Sequence, residues 1–387
     1  MKILHYITFF SKPSETFIYD QINNLEDKGV DNHLLIKKRE LKKERPFDES
    51  KIHFLKIRKI FFVNKLLSKI FSGYKYRPKD PGAMMDAVKK INPDILHAHF
   101  GGNGVPLKKL LEEYDSGIPL VISFHGTDII SDPELDPVYR EEIKKLKDYE
   151  KLICTAPSEF LKNKLIENGV PEEKINIVPN TFNKEFLRHR KKQLFQAGNE
   201  LKIINVSRFI EWKGHKYLLE ALRKLTNQGY NNIRLTLVGD GDNKKEMEDL
   251  AKRLGVREKV NFTGRVDHKK IPGLLQEHDV YIQPSIKDEN TYQEESFGVV
   301  VIEAIATGLP VIVTRTGGLP EAVVKEDKQF SFIVPEKDPE AISGILKDMI
   351  SGDYQFQNNS AYAEKVTDKF SSEKQVESLL QTYKQLQ

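Results

Sequence analysis

Two carboxylates carry the most chemistry in this sequence. Glu295 and Glu303 stand eight residues apart in the stretch Gln283 to Thr314, QPSIKDENTYQEESFGVVVIEAIATGLPVIVT. Glu303 sits among Val299, Val300, Val301, Ile302, Ala304, Ile305 and Ala306, and a carboxylate in that company needs a partner or a ligand because an unpaired buried charge is costly. An ion pair with a core Lys or Arg is one reading; a polyhydroxylated ligand is the other. Eight helical residues rise about 12 Å, a spacing that suits carboxylates accepting hydrogen bonds at two ends of one such ligand. Between them the backbone amides of Phe297, Gly298 and Val299 would open a helix and face an anion. One element could thus hold a ribose, a diphosphate and a hexose in line.

Cations come from a second stretch, VSRFIEWKG, where Arg208 and Lys213 lie five apart. They suit a diphosphate, Arg as a planar fork and Lys as a point charge; the alternative is a surface ion pair with Glu211. LVGDGD, Leu237 to Asp242, lacks the third glycine of a dinucleotide fingerprint, and Asp240 and Asp242 read as turn and capping residues before they read as metal ligands. In VISFHGTD, His125 follows a strand directly and is the residue type for a proton or a polarised hydroxyl near neutrality. His97 and His99, in LHAHFGGNG, share one strand face; with no third ligand evident they read as crevice lining and not as a zinc pair. Gly101, Gly102 and Gly104 then give a loop where backbone can approach a ligand. KPSET, Lys12 to Thr16, follows the first strand with Ser14 as a capping residue.

The elements that must position these residues follow an alternating pattern. Apolar runs of strand length alternate with helical-period segments along the chain, which predicts an α/β fold of parallel sheets with crossover helices. Strands are expected at Ile3 to Phe9, His33 to Ile36, Asp94 to Ala98, Leu120 to Phe124, Leu152 to Ala156 and Ile175 to Val178. A second series runs at Lys202 to Ser207, Arg234 to Val238, Val260 to Thr263, Val280 to Pro284, Pro310 to Thr314 and Phe330 to Val334. The polar stretch between them is the expected linker. This divides the chain into 1–184, a linker at 185–200, 201–365 and a last helical segment at 366–387. Two doubly wound, Rossmann-like halves place the ligand in the crevice between them.

Composition bounds the rest. A chain of 387 residues, 39% hydrophobic and 30% charged, is long enough for two domains with real cores and excludes wholesale disorder. The single cysteine, Cys154, permits neither an internal disulfide nor a cysteine zinc cluster. The start MKILHYITFF reads as a first strand and not as a signal peptide, and no stretch approaches the roughly 18 apolar residues that would span a bilayer. A reducing cytosol is the expected home. The formal net charge of +4 conceals nine Lys or Arg and no acid between Lys51 and Lys79. Ile57, Ile60, Phe61, Phe62, Leu66, Leu67, Ile70 and Phe71 interleave with them at helical spacing, as in a basic interfacial helix; the other reading is a solvated basic face over a core helix.

Together the motifs resemble the retaining GT-B glycosyltransferases of family four. Glu295-x7-Glu303 with Ser296-Phe297-Gly298, VSRFIEWKG, LVGDG, FTGRV and TGGLPEAV carry the resemblance in the second half. HAHFG, SFHGTD, APSEFLKNKL and VPNTFN carry it in the first. The resemblance implies two domains facing a central cleft, acceptor-binding at 1–184 and nucleotide-sugar-binding at 201–365, with the last helix crossing back. Arg208 and Lys213 would bind the donor diphosphate, Glu303 the ribose, and Glu295 the transferred sugar. Phe297, Gly298 and Val299 would present amides, Gly239 and Arg265 would border the nucleotide, and His125 would line the sugar site. Ser14, Glu15, Thr16, Gly101 and Gly102 would meet the acceptor, although SKPSETF stands where many relatives have a Gly-Gly loop. The expected reaction moves a sugar, with retention and without a metal or other cofactor, from a UDP-sugar such as UDP-glucose to a glycan or lipid-linked acceptor in polysaccharide biosynthesis. The expected place is the cytoplasmic side of a membrane, met peripherally through residues 51–79. A nucleotide-sugar epimerase is the rival enzyme; a non-catalytic protein binding anionic lipid or nucleic acid would leave Glu295, Glu303, Arg208 and Lys213 unexplained.

Overall fold

The computed structural model describes the chain except for residues 13–14, 56–75, 77, 79, 192–193, 324–329 and 355–358. It divides into two units, Met1–Asn180 with Ser372–Gln387, and Thr181–Ser371. These divisions fall a few residues from those expected at 184 and 365. Residues 185–200, expected as a linker, belong to the second unit. There Phe182 and Phe186 bury their rings in its apolar layer, and Glu185–Arg188 form a helical turn.

In the first unit seven strands pair in parallel: β1 Lys2–Phe10, β2 Asp31–Arg39, β3 Ile52–Phe54, β4 Ile95–His99, β5 Leu120–Ser123, β6 Leu152–Ala156 and β7 Ile175–Ile177. Their order is β3-β2-β1-β4-β5-β6-β7. The second unit has β8 Leu201–Val206, β9 Ile233–Val238, β10 Val260–Gly264, β11 Val280–Gln283, β12 Val311–Thr314 and β13 Ser331–Val334, in the order β10-β9-β8-β11-β12-β13. Each unit is a Rossmann-like, doubly wound fold. The strand order reverses between β1 and β4 and between β8 and β11, and ligands of open α/β sheets bind outside the carboxyl ends of strands at such switch points.

Both faces of each sheet are covered. Side chains alternate along a strand, so Val280 and Ile282 of β11 enter one apolar layer while Tyr281 enters the other; Ile312 of β12 and its neighbours Val311 and Val313 divide in the same way. In the first unit Leu4 and Tyr6 of β1 face one layer, and Ile3 and Ile7 face the opposite side. The last helix, Ser372–Lys384, belongs to this unit. Val376, Leu379 and Tyr383 cover Ile3, Ile95 and Val121 there.

Helix starts follow local chemistry. Asp80 accepts from the Ala83 amide (2.9 Å) ahead of Pro81, Ser158 from Leu161 (3.1 Å), and Asp338 from Ala341 (2.9 Å) ahead of Pro339. β3 was not expected, and the helix Gly101–Glu113 takes in Gly101, Gly102 and Gly104, which were expected as a loop. The interfacial helix expected within 51–79 falls mostly outside the described residues, although Lys51 itself is ion-paired with Glu26 and Asp31 (both 3.1 Å). Among the described residues no helix is long and apolar enough to cross a membrane.

Candidate functional site

The second unit gathers its polar groups at the carboxyl ends of β8 and β11. β8 ends at Val206, and the loop to the helix His215–Asn227 carries Arg208, exposed, and Lys213. β11 ends at Gln283, and the loop that follows brings back Ser285 and Glu295. Lys213 forms a close ion pair with Glu295 through Oε1, with 14% and 8% of the two side chains exposed. The same oxygen accepts from Ser285 Oγ (2.7 Å) and Gln283 Nε2 (3.1 Å). Gln283 is itself fixed, because its Oε1 accepts from the Tyr281 hydroxyl (2.5 Å). Three donors therefore converge on Oε1 and none of them takes Oε2. Burial draws the Lys213 ammonium below the usual lysine range; the Glu295 carboxylate opposes that shift and the Arg208 guanidinium adds to it. Lys213 does not make the alternative pairing with Glu211, because Glu295 takes its ammonium; Glu211 accepts from Asn243 (2.9 Å).

Glu303 stands apart from Glu295 in its surroundings. It is buried at 3% exposure on the helix Val299–Ala306, where its Oε1 is bonded to His268 Nε2 (3.0 Å). The partner is thus an imidazole and not a core Lys or Arg. Glu295 does not lie on that helix, so the 12 Å helical spacing between the two carboxylates does not apply; a loop sets their separation. Gly298 precedes the helix in a left-handed conformation (φ 108°), and no side chain caps the first amides. Val299 opens the helix, half-buried, whereas the Phe297 ring is buried against Phe370 (5.2 Å) and offers a ligand only its backbone.

Gly239 follows β9 with φ 142°, and a Cβ there would lie 2.0 Å from the Ser207 carbonyl oxygen. Its role is a close approach that fixes the loop leading to Arg208. Arg265 is exposed after β10. Asp240 accepts from its neighbour Gly241 (3.0 Å) in an exposed turn.

At the switch point of the first unit lies a set of histidines. His97 and His99 are wholly buried and do not line a crevice, and a third histidine, His5 of β1, joins them with ligand atoms all within 4.8 Å of one another. The parallel register places His5 beside His97. By proximity this trio could hold a metal ion, but five of its six nitrogens already have side-chain partners. His97 bonds the Tyr383 and Ser123 hydroxyls (both 2.7 Å). Asn32 uses its amide on the carbonyls of Ile22 and Val30, so its oxygen accepts from His5 Nε2 (3.0 Å), and His5 Nδ1 then accepts from His99 Nε2 (3.1 Å). Only His99 Nδ1 lacks a partner. Burial holds His97 and His99 well below the usual histidine range and draws His5 down to about 4, so the set is neutral near pH 7.

His125 stacks on His99 (5.6 Å between centroids, 4° between planes) and is flanked by Phe17 and Phe100. Burial draws its imidazole down to about 3. Gly101 and Gly102 do not form a loop; they are the first turn of the helix Gly101–Glu113. Thr16 opens the helix Thr16–Glu26, Glu15 pairs with Lys12 (3.0 Å), and Ser14 lies outside the described residues. His268, Gln283, Ser285 and His5 were not foreseen. A signal existed for two of them: the alternation Tyr281, Gln283, Ser285 puts three polar-tipped side chains on one face at the end of a buried strand.

Residues 188–366 match the family model described as Glycosyl transferases group 1, and residues 14–186 match Glycosyltransferase Family 4. The amylovoran biosynthesis glycosyltransferase AmsK of Erwinia amylovora is 28% identical across 91% of this chain and 91% of its own. N-acetyl-alpha-D-glucosaminyl L-malate synthase of Bacillus anthracis is 29% identical over 71% of this chain and 74% of its own. The crystal structure of HepE from Anabaena in complex with UDP has a TM-score of 0.77 over 100% of both chains at 18% identity, a likeness of fold.

Proposed function

The chain belongs to the family-four glycosyltransferases, the glycosyl transferases group 1, and on that premise we propose that it moves a sugar, with retention, from a UDP-sugar to a glycan or lipid-linked acceptor in cell-envelope polysaccharide synthesis. The observation that carries the proposal is the pairing of half-buried Lys213 with buried Glu295 beside exposed Arg208 at the switch point of the second sheet. AmsK, whose name places it in amylovoran biosynthesis, supports the polysaccharide destination. The UDP held by HepE supports the nucleotide.

In this reading the diphosphate draws on Arg208 and Lys213, with the amides at Gly298 and Val299 completing its field. Glu303 exchanges His268 for ribose hydroxyls. Glu295, held through Oε1, turns Oε2 to the hydroxyls of the transferred sugar. Retention follows if the acceptor hydroxyl enters on the face the nucleotide leaves and a departing phosphate oxygen takes its proton. The protein then supplies position and charge, and no metal or side-chain base is needed.

UDP titrated against the protein tests the donor site. Saturating UDP, at 100 times its dissociation constant, is expected to add about 2.7 kcal/mol of stability. Arg208→Ala should weaken UDP binding about 10- to 100-fold, since a charged hydrogen bond contributes about 1.5 to 3 kcal/mol. Indifference of the wild type to UDP would remove the donor assignment. Conversion of UDP-glucose to a second sugar nucleotide, with no acceptor present, would select the epimerase instead.

Membrane docking through residues 51–79 is part of the proposal and rests on the sequence. Vesicle cosedimentation should increase with anionic lipid content; a flat response removes that part alone.

A further inference from the structure

We infer that Asp128 is a positioning residue for sugar transfer, its carboxylate joining the turn after β4 to the turn after β5. The inference rests on the proposed function and on the family resemblance, which puts His125 at the sugar site and Gly101 and Gly102 at the acceptor. Asp128 is 3% exposed on the short helix Thr127–Ile130. Its Oδ1 accepts from the amides of Gly126 (2.8 Å) and His125 (3.1 Å), and its Oδ2 accepts from the Gly101 amide (2.8 Å). One side chain thus satisfies three backbone donors drawn from two different strand-to-helix turns.

The first of these turns is held in a costly conformation, since Phe100 takes a left-handed φ of 71° that non-glycine residues avoid; in the second, Gly126 has a φ of 146° that a glycine adopts freely. Gly101 has no room for a Cβ, which would fall 2.2 Å from the Tyr139 hydroxyl and 2.4 Å from the Phe124 ring. The tyrosine hydroxyl therefore sits on the Gly101 backbone, buried and without a hydrogen-bond partner. A strained turn persists where its surroundings over-determine it, and Asp128 ties the Phe100–Gly101 turn to the His125–Gly126 turn. His125 stands on this clasp through its own amide.

The clasp is also titratable. Burial raises the Asp128 carboxyl to about 6, against the pull of its three amide donors and with a push from Asp132. The titratable groups facing it are the Asp132 carboxyl and the Tyr139 hydroxyl, and around Tyr139 the Cys154 thiol and the Tyr76–Asp136 pair. Burial keeps His125 neutral, and Tyr139 and Cys154 stay protonated, through the acid-to-neutral range. A raised carboxyl takes up its proton as pH falls through about 6. Oδ2 serves one amide and Oδ1 serves two, so the proton settles on Oδ2 and releases Gly101. The sign for stability is the opposite, because a buried carboxyl with a raised value binds its proton more readily folded than unfolded. Acidification should therefore cost activity through this group before it costs the fold.

The test uses UDP-glucose turnover to UDP, UDP affinity, and amide hydrogen exchange at Gly101 and Gly126. Wild-type kcat should fall about tenfold from pH 7 to pH 5 with circular dichroism unchanged, and exchange at Gly101 should accelerate over the same interval. Asp128→Asn should lower kcat about 10- to 100-fold at pH 7, since small misplacements of reacting groups have effects of that order. It should leave the UDP dissociation constant within about twofold and abolish the acid limb. A wild-type kcat and an intact acid limb in Asp128→Asn overturn the inference. So does Gly101 exchange that ignores pH in the wild type, a measurement that holds even if the variant does not fold. Absence of any nucleotide-sugar turnover by the wild type would instead sink the functional reading, while the exchange data still judge the clasp.

Discussion

Replacing Glu295 by alanine is expected to slow sugar transfer about 10²- to 10³-fold, the usual consequence of removing one charged group aimed at a developing transition state, while UDP still binds. The two effects separate because Glu295 and Arg208 serve different parts of the donor. Lys213 complicates the alanine variant. The pair has 14% and 8% of its side chains exposed, and breaking a buried pair costs about 3 to 5 kcal/mol because one charge is left uncompensated. The orphaned ammonium has one natural recourse, the diphosphate, so UDP affinity should hold or rise. Glu295→Gln separates charge from shape: its amide oxygen can still accept from Ser285 and Lys213, so folding should suffer less while transfer stays low. Steady-state UDP release and UDP titration, followed on both variants, decide the matter. Undiminished transfer by Glu295→Ala would remove Glu295 from the sugar site. Parallel loss of transfer and of UDP binding would mean a collapsed loop and not a missing contact.

Local patterns in the sequence reached most of the fold and about half of the candidate site. Strands such as Val280–Gln283 and Val311–Thr314 are buried on both faces, so their apolar runs are long enough to read directly. β3 escaped because Ile52–Phe54 is three residues long and opens a basic stretch. At the site, Arg208, Lys213, Glu295 and Glu303 announce themselves as charges in apolar or glycine-rich company. Their partners do not. His268 reaches Glu303 across 35 residues, and His5 meets His99 across 94; packing of the turn at His268 near the Val299–Ala306 helix brings the first pair together and the β1–β4 register the second, and neither is a local property of the chain. The same limit explains the misreading of Glu295 and Glu303 as one helical pair, since helix spacing cannot say that a loop holds the first of them. Asp128 was visible in SFHGTD, yet its amide partners come together only when β4 and β5 lie side by side.

Gly317→Ala is expected to damage the donor site without touching any ligand. Gly317 has φ 49°, and a Cβ there would lie 2.0 Å from the Glu295 carbonyl oxygen and 2.9 Å from its carbon, while the next amide, of Gly318, donates to that same oxygen (2.8 Å). The obstacle is backbone and cannot swing away, so either the Thr316–Gly318 turn or the Glu295 loop must move. Left-handed backbone alone costs alanine about 1 to 2 kcal/mol, and the steric overlap brings the expected loss to about 2 to 4 kcal/mol, within the range of strained substitutions. For a unit of this size that is a fall in melting temperature of about 5 to 15 °C. The single tryptophan, Trp212, reports it well, since it lies in the second unit with Lys213 Nζ 4.0 Å above its ring. Gly344→Ala, within the helix Pro339–Ser351, is the matched control. A Cβ there meets nothing within 4 Å, so the same change should stabilise by about 0.5 to 1 kcal/mol. Opposite signs from one chemical change at two glycines of one unit would tie the Gly317 effect to the Glu295 backbone. A Gly317→Ala protein that melts with the wild type and transfers sugar at its rate would show that Glu295 is held by its side-chain donors alone.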